Sequence, residues 1–324
     1  MTIIEKEDVL RILTPEKCVA LMREAFIGLE TGKNGQPLRN IAIMPNGAKF
    51  GFMPAFIGDQ YFGAKVITAQ SKNQGTKYPT HMGYVMLCDQ EYGSFIAAVE
   101  ASSITEIRTG AASAVATDEL ARKNAAKMAV IGAGAQARSH VSAISAVRKL
   151  EEIFVYDVST ENAIRFKDWI KERFDVRVTV SRSAAGAVAN ADIICTLTPE
   201  TKPFLSLDMV KPGVHINAVG AFMSTARELA SDLVAASKLY ADQIEAVLHE
   251  SGDYLFPLNE GAISEGHLLG SIGQIAAGAV SGRTSENDIT IFEALGLAVE
   301  DVASAAFVYE IYRKEQEGNH APNS

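Results

Sequence analysis

The chain has few cysteines, fewer basic than acidic side chains, and no long uncharged apolar run. Its three cysteines, Cys18, Cys88 and Cys195, are odd in number, far apart and without the short spacings of a metal site, which fits reduced thiols in a cytosol. They read as core filler. With 39 acidic against 30 basic residues the net charge is -9, so a broad surface for neutralising phosphates is missing and nucleic acid is not an expected partner. No segment approaches the roughly 20 apolar residues that cross a bilayer. The stretch Met1 to Asp8 is acidic where a secretory signal needs basic residues followed by an apolar run. The expectation is a cytoplasmic protein with no membrane partner. What is present is 324 residues, 48% of them hydrophobic, enough for a full core and for two domains.

Three regimes follow one another. Val19, Leu21, Met22, Ala25, Phe26 and Leu29 recur at helical spacing after Thr14 and Pro15, which predicts a helix over 15–30 with a threonine cap and proline in its first turn. Short apolar runs at 50–56, 63–69, 83–88 and 94–99, punctuated by Gly, Pro and Asn, predict an antiparallel meander. An alanine-rich helix is expected from Ile107 to about Arg122. Strands are then expected at 128–131, 153–156, 176–180, 192–197, 214–219 and 239–241, alternating with helices, the pattern of a parallel sheet covered on both faces. The last regime, 288 to about 314, has apolar residues at helical spacing.

Gly132 and Gly134 follow the apolar strand Met128-Ala129-Val130-Ile131, and Ala137 opens a helical segment. A GxGxxG-like turn is a weak signal alone; a strand before it and a helix after it give it a mechanism. The first glycine permits the tight turn, the second admits a pyrophosphate to the backbone, and the small third residue lets helix pack on strand, so the helix start faces the phosphates. The next strand ends in Asp157, some 25 positions after Gly132, where a carboxylate would accept hydrogen bonds from the adenosine ribose. Asp157 would repel a 2′-phosphate and has no arginine beside it, which favours NAD over NADP. A glycine turn without ligand, and an acid that only caps the next helix, are the structural alternatives.

Along nearly its whole length the sequence resembles the ornithine cyclodeaminase and mu-crystallin family. The matching segments include Gly51-Phe52-Met53-Pro54-Ala55, Gly63-Ala64-Lys65, Ile104-Thr105-Glu106-Ile107-Arg108-Thr109-Gly110, the glycine turn with Gln136, and Pro212-Gly213-Val214-His215-Ile216-Asn217-Ala218-Val219-Gly220-Ala221. The resemblance implies an α/β fold, a doubly wound Rossmann domain over 119–293 inserted in an α+β substrate-binding and dimerisation domain made of 1–118 and 294–324. It also implies a homodimer and an active site in the cleft between the domains.

By position in the family, Arg39 and Arg108 would hold a substrate carboxylate and Lys65 would exchange the proton at an amine or imine nitrogen. This suits the residue types, because arginine grips a carboxylate in a fork and a desolvated lysine is a proton donor. A surface arginine, a strand-edge lysine and a buried structural ion pair are the respective alternatives. Cofactor contacts carried over are Thr80, Arg108, Thr109, Ala135, Gln136, Asp157, Thr198 and Val219, Gly220 and Ala221, beside Gly132 and Gly134. His81, next to Thr80, could assist proton transfer or simply pack; His215 reads as structural. Glu260, Glu265 and His267 lack zinc spacing, so no metal is expected.

The departures are informative. Where ornithine cyclodeaminases carry an aspartate after Val-Gly-Gly, this chain has Phe222; where they carry a glutamate before Met-Pro, it has Gly51; and a serine near the carboxyl end is Ala294. Ornithine cyclisation loses its carboxylate. The expected activity is NADH-dependent hydride transfer to a small 2-imino acid, as an amino-acid dehydrogenase or imine reductase, with Phe222 excluding water and Lys72, Lys77 or His81 available to a second carboxylate. The rivals are a cyclodeaminase using NAD catalytically and a mu-crystallin-like binding protein without turnover.

Overall fold

The structure, a computed structural model, describes residues 1–73 and 76–319. The elements begin with β1 (Thr2–Ile4), α1 (Lys6–Ile12), α2 (Pro15–Glu30), β2 (Asn34–Gly35), β3 (Asn40–Ile43), β4 (Lys49–Ile57), β5 (Tyr61–Ala69), β6 (His81–Asp89), β7 (Phe95–Glu100) and α3 (Ala101–Leu120). They continue with β8 (Lys127–Ile131), α4 (Ala135–Val147), β9 (Glu152–Tyr156), α5 (Thr160–Lys171), β10 (Arg177–Val180), α6 (Ala184–Val188), β11 (Ile193–Thr196) and β12 (His215–Ala218). Then come α7 (Ser231–Ala235), β13 (Lys238–Ala241), α8 (Ile244–Glu250), α9 (Gly252–Asn259), β14 (Leu268–Ser271), α10 (Ile272–Ala276), β15 (Thr290–Glu293) and α11 (Ala298–Asn319).

The chain divides into two compact units, one of residues 1–108 with 297 onward, the other 109–296. The sequence placed these limits at 118/119 and 293/294. The first of the observed limits falls inside α3, which has no break in its backbone there, so no turn residue marks it.

The first unit is built on a seven-stranded sheet of order β1-β7-β6-β5-β4-β2, with β3 also pairing β4. All of its pairs are antiparallel except β1 with β7. Helix α2 begins at the expected Pro15, where the missing N–H is one the first turn leaves unpaired anyway, and it buries Cys18, Val19, Met22, Ala25 and Phe26 along one stripe. Helix α11 packs on β4, β5, β6 and α2. Because strand side chains alternate between faces, one cross-strand row, Met53, Lys65, Val85 and Val99, lies buried on the α11 side. The opposite face carries Phe50, Phe52, Phe56, Phe62, Met82 and Tyr84, all exposed.

The second unit is an eight-stranded sheet of order β10-β9-β8-β11-β12-β15-β13-β14, parallel throughout. The chain runs outward from β8 to β10 and resumes at β11 on β8's other side, so the order reverses between β8 and β11. In such sheets the ligand crevice lies beyond the carboxyl ends of the strands at that reversal.

Three expectations need correction. Residues 290–293 form a strand at the heart of the second sheet, between β12 and β13, and not the start of a helix. Thr-Ile-Phe-Glu is a fully buried four-residue run, and Gly296, at φ 82°, ends it before α11 begins. Helix α3 starts at Ala101, six residues before the expected Ile107, with Glu100 accepting the amides of Ser102 and Ser103. The short strands β1, β2, β3 and β14 were not expected, being too brief to show a period.

Candidate active site

In the first unit, Lys65 and Arg108 are drawn together by two neighbouring acids of α11. Lys65 Nζ lies 2.7 Å from Asp301 Oδ2. Arg108 donates from Nη1 to Glu300 Oε2 at 2.7 Å and from Nε to Asp301 Oδ1 at 3.2 Å. Lys65 is 3% exposed and Arg108 5%, so two cations and two anions share a water-poor interior. Burial lowers the Lys65 pKa, and the Arg108 charge adds to that; Asp301 and Glu300 oppose without reversing it. For Arg108 burial also pulls downward, but the two carboxylates more than reverse it, and the guanidinium is held charged. Charges this deep persist only when paired. An ammonium with a lowered pKa is a better acid than lysine in water.

Arg108 is therefore engaged as a buried ion pair, yet two bonds use only part of its five N–H donors. Arg39 is half-buried in the loop before β3; β3 begins opposite Phe52, one residue from Met53, the cross-strand neighbour of Lys65. His81 pairs with Ala69, four residues from Lys65 along β5 and roughly 13 Å at the rise of a strand. Thr80 Oγ1 lies 3.1 Å from His81 Nδ1. The His81 imidazole is exposed by area but partly enclosed, and that enclosure, with Lys49 and Lys65, lowers its pKa. Lys72 and Lys77 are exposed, the latter 5.1 Å from the centre of the Tyr78 ring.

In the second unit, Gly132 has φ 97° and donates its N–H to Tyr156 at 2.8 Å. A Cβ there would sit 2.7 Å from the Leu197 carbonyl oxygen, so both conformation and space require glycine. Gly134 is the N-cap of α4, with no side-chain cap, and a Cβ on it would meet nothing within 4 Å. Ala137 is fully buried. The start of α4, at Ala135 and Gln136, thus presents uncapped first-turn amides beside open space, which fits a pyrophosphate. Asp157 Oδ2 accepts the Ala133 N–H and Oδ1 the Ser159 N–H, both at 2.8 Å, leaving acceptor capacity on the carboxylate for ribose hydroxyls. Thr109 is buried on α3, and Gly110 touches the backbone of α4 closely, its added Cβ being 2.5 Å from Ser139 C.

At the ends of β11 and β12, the Thr198 hydroxyl and amide both turn to Glu228 Oε1, at 2.5 and 2.9 Å. Gly220 N–H donates to Glu228 Oε2 at 3.0 Å. Val219 and Ala221 are buried, and Phe222 is exposed. His215 is fully buried between Thr290 and Asn217. Among the described residues, no group of three or more His, Cys, Asp or Glu is placed to hold a metal, and no helix is long and apolar enough to cross a membrane.

The sequence reading missed Asp301, Glu300 and Glu228. The first two had a visible signal: adjacent acids in the otherwise small and apolar stretch Ala298 to Ala306 are buried charges that need partners. Glu228 had none, since Arg227-Glu228-Leu229 reads equally as a surface turn.

A further carboxyl cluster lies behind the second site. Asp253 Oδ1 accepts the amides of Glu228 and Leu229, and Glu293 accepts Ser251 Oγ. Asp253 Oδ2 and Glu293 Oε1 are buried without partners. Burial, with the Glu228 charge, pushes the Asp253 carboxyl up to about 8; burial and the Asp253 charge raise Glu293 as well. An acid whose pKa rises on folding binds an extra proton in the fold, so its contribution is complete below its unfolded value near 4 and is lost as pH climbs towards 8. Asp253→Asn keeps the Oδ1 acceptor and removes that charge. We expect it to raise the melting temperature at pH 8 and to flatten the decline between pH 5 and 8. Equal slopes for both proteins in thermal unfolding would show that Asp253 does not titrate there.

The family model "Ornithine cyclodeaminase/mu-crystallin family" matches residues 2–316. A Delta(1)-pyrroline-2-carboxylate reductase of Bacillus cereus is 40% identical over 254 residues, 78% of each chain. Among solved structures, the Delta(1)-pyrroline-2-carboxylate reductase of Thermococcus litoralis, in complex with NADH and L-proline, superposes with a TM-score of 0.94 at 34% identity, covering 98% of both chains. An archaeal alanine dehydrogenase dimer with bound NAD gives 0.93 at 30% identity, covering 98% of this chain and 97% of that one. With its glycine turn, its parallel sheet and its buried lysine on an antiparallel one, the chain belongs to the ornithine cyclodeaminase/mu-crystallin family.

Proposed function

We propose that this protein is an NAD-dependent reductase of 2-imino acids, with cyclic imine carboxylates as its preferred substrates and NADH as its preferred cofactor. The observation that carries the reading is the Lys65 ammonium, made more acidic by burial and held in place by Asp301. Reduction of a C=N bond requires one hydride at carbon and one proton at nitrogen; a bound reduced nicotinamide supplies the hydride. Lys65 supplies the proton, and Asp301 holds the ammonium in place. Arg39, with the N–H groups of Arg108 that Glu300 and Asp301 do not take, receives the substrate carboxylate. Gly132, Gly134 and the start of α4 hold the cofactor's diphosphate and Asp157 its ribose, where a 2′-phosphate would meet like charge. The relatives that reduce Delta(1)-pyrroline-2-carboxylate, one of them holding NADH and L-proline, support a cyclic substrate. Phe222, in place of the cyclodeaminase aspartate, supports reduction over ammonia loss.

A homodimer belongs to the same proposal. The first sheet is apolar on both faces, and α11 covers one of them; the other exposes a continuous set of aromatic side chains, more than an isolated surface normally leaves in water. The dimeric alanine dehydrogenase supports a second copy as its cover.

The test is a panel of Delta(1)-pyrroline-2-carboxylate, its six-membered homologue, and pyruvate with ammonia, each followed by absorbance at neutral pH with NADH or NADPH. Stoichiometric loss of NADH, fastest with a cyclic imine and slower with NADPH, is expected. Ammonia release from ornithine without net NADH change would establish the cyclodeaminase reading instead, and tight ligand binding without turnover the mu-crystallin-like one.

A further inference from the structure

We propose that Glu228 is a positioning residue for the nucleotide: its carboxylate staples the loop after β11 to the loop after β12 and so sets the spacing of the surface that receives the cofactor. The inference rests on the reading of those loops as cofactor-binding. Its geometric ground is independent of that reading. Glu228 is fully buried, and among the described residues its carboxylate is hydrogen-bonded to no arginine or lysine. Its two oxygens instead take the Thr198 amide and hydroxyl on one side and the Gly220 amide on the other. A carboxylate can accept from several donors at once, and bonds to a charged acceptor are about twice as strong as neutral ones.

The two loops meet with almost no slack. A Cβ on Gly220 would lie 2.2 Å from the Thr198 carbonyl oxygen and 2.6 Å from Glu228 Oε1. Each strand contributes its carboxyl end on the β11 side of the point where the sheet order reverses, which is where a dinucleotide lies in this kind of sheet. Glu228 is itself fixed from behind, since Asp253 Oδ1 accepts the amides of residues 228 and 229 at 2.9 and 2.7 Å. Burial alone pushes the Glu228 carboxyl up, and the Thr198 and Gly220 donors act against it. A buried acid without a cationic partner in this role is costly for stability alone; the cost is understandable where backbone placement has to be held to a fraction of an ångström.

Glu228→Gln is the discriminating variant. It keeps the shape, but one of the two acceptors becomes an NH2 that faces N–H donors, so one loop is released. Titrating NADH by its own fluorescence, without substrate, should show binding weakened about tenfold or more. The imine KM at saturating NADH should stay within twofold. Amide exchange at Thr198 or Gly220 should speed up while the core strands keep their protection. Should Glu228→Gln fail to fold, Thr198→Val removes the hydroxyl donor alone and should weaken NADH binding about threefold. NADH affinity within twofold of wild type in a folded Glu228→Gln, or in Thr198→Val if that is the variant available, overturns the inference alone. A wild-type chain that binds no nicotinamide nucleotide overturns it together with the oxidoreductase reading.

Discussion

Lys65→Met is expected to lower kcat/KM for imine reduction by about a thousandfold while NADH affinity stays within twofold. A positioned proton donor contributes on the order of a hundredfold to ten-thousandfold, and methionine keeps the length of the side chain without the proton. The residues proposed to hold the diphosphate and the ribose, Gly132, Gly134 and Asp157, belong to the second unit, so the substitution should leave NADH affinity nearly unchanged. The alkaline fall in turnover should also disappear. With Lys65 as the proposed proton donor, wild-type activity is expected to drop as pH rises through a pKa that burial has moved below the ordinary lysine value; without Lys65 there should be no such limb. Because Asp301 keeps only Arg108, the variant should lose a few kcal/mol of stability, the usual consequence of breaking a buried pair. Thermal unfolding at the assay temperature separates that loss from the loss of chemistry. If the folded variant turns over within threefold of wild type, the proton comes from elsewhere.

Phe52→Glu combined with Phe56→Glu should convert the protein from two chains to one at micromolar concentration. Both side chains stand on the face of the first sheet that α11 does not cover, at 45% and 43% exposure. They are two residues either side of Pro54 on β4, Phe56 directly across from Phe62. A related pair of chains would press this face against itself, each aromatic ring contributing about 1.5–3 kcal/mol on full burial. Two carboxylates in that position would be desolvated without partners. Neither residue is in the single chain's core, so the circular dichroism spectrum should be preserved. Light scattering after gel filtration measures the mass, and an unchanged dimer would place the interface on another surface.

Much of the second unit was legible because its determinants are local. The turn at Gly132 needs a positive φ and no Cβ, and α4 needs a small residue at 137, so strand, turn and helix are written within ten residues. Lys65 and Arg108 could be singled out from their family positions, but not their state of pairing. Their partners come from α11, and Arg108 is separated from Asp301 by 193 positions, a contact that no periodicity encodes. The strand at 290–293 was misread for a related reason. Four apolar residues ahead of a long helical pattern fit either period, and only their place between β12 and β13 decides it. Asp157 illustrates a third case: its position at the end of β9 could be anticipated, while its bonds to the Ala133 and Ser159 amides depend on the shape of the turn it supports.

The acidic pair on α11 also bears on how the protein is made. A ribosome delivers the strands of the first sheet long before it delivers residues 300 and 301, and domains assemble as they emerge. During that interval the lysine and arginine destined for the interior have no counter-charge, and enclosing them would be prohibitively unfavourable. Until α11 arrives, the face of the sheet that carries them is expected to stay open to water, while the second unit in between completes itself. Burial of Lys65 is in this way expected to be a late event in biosynthesis, timed by the arrival of a single helix.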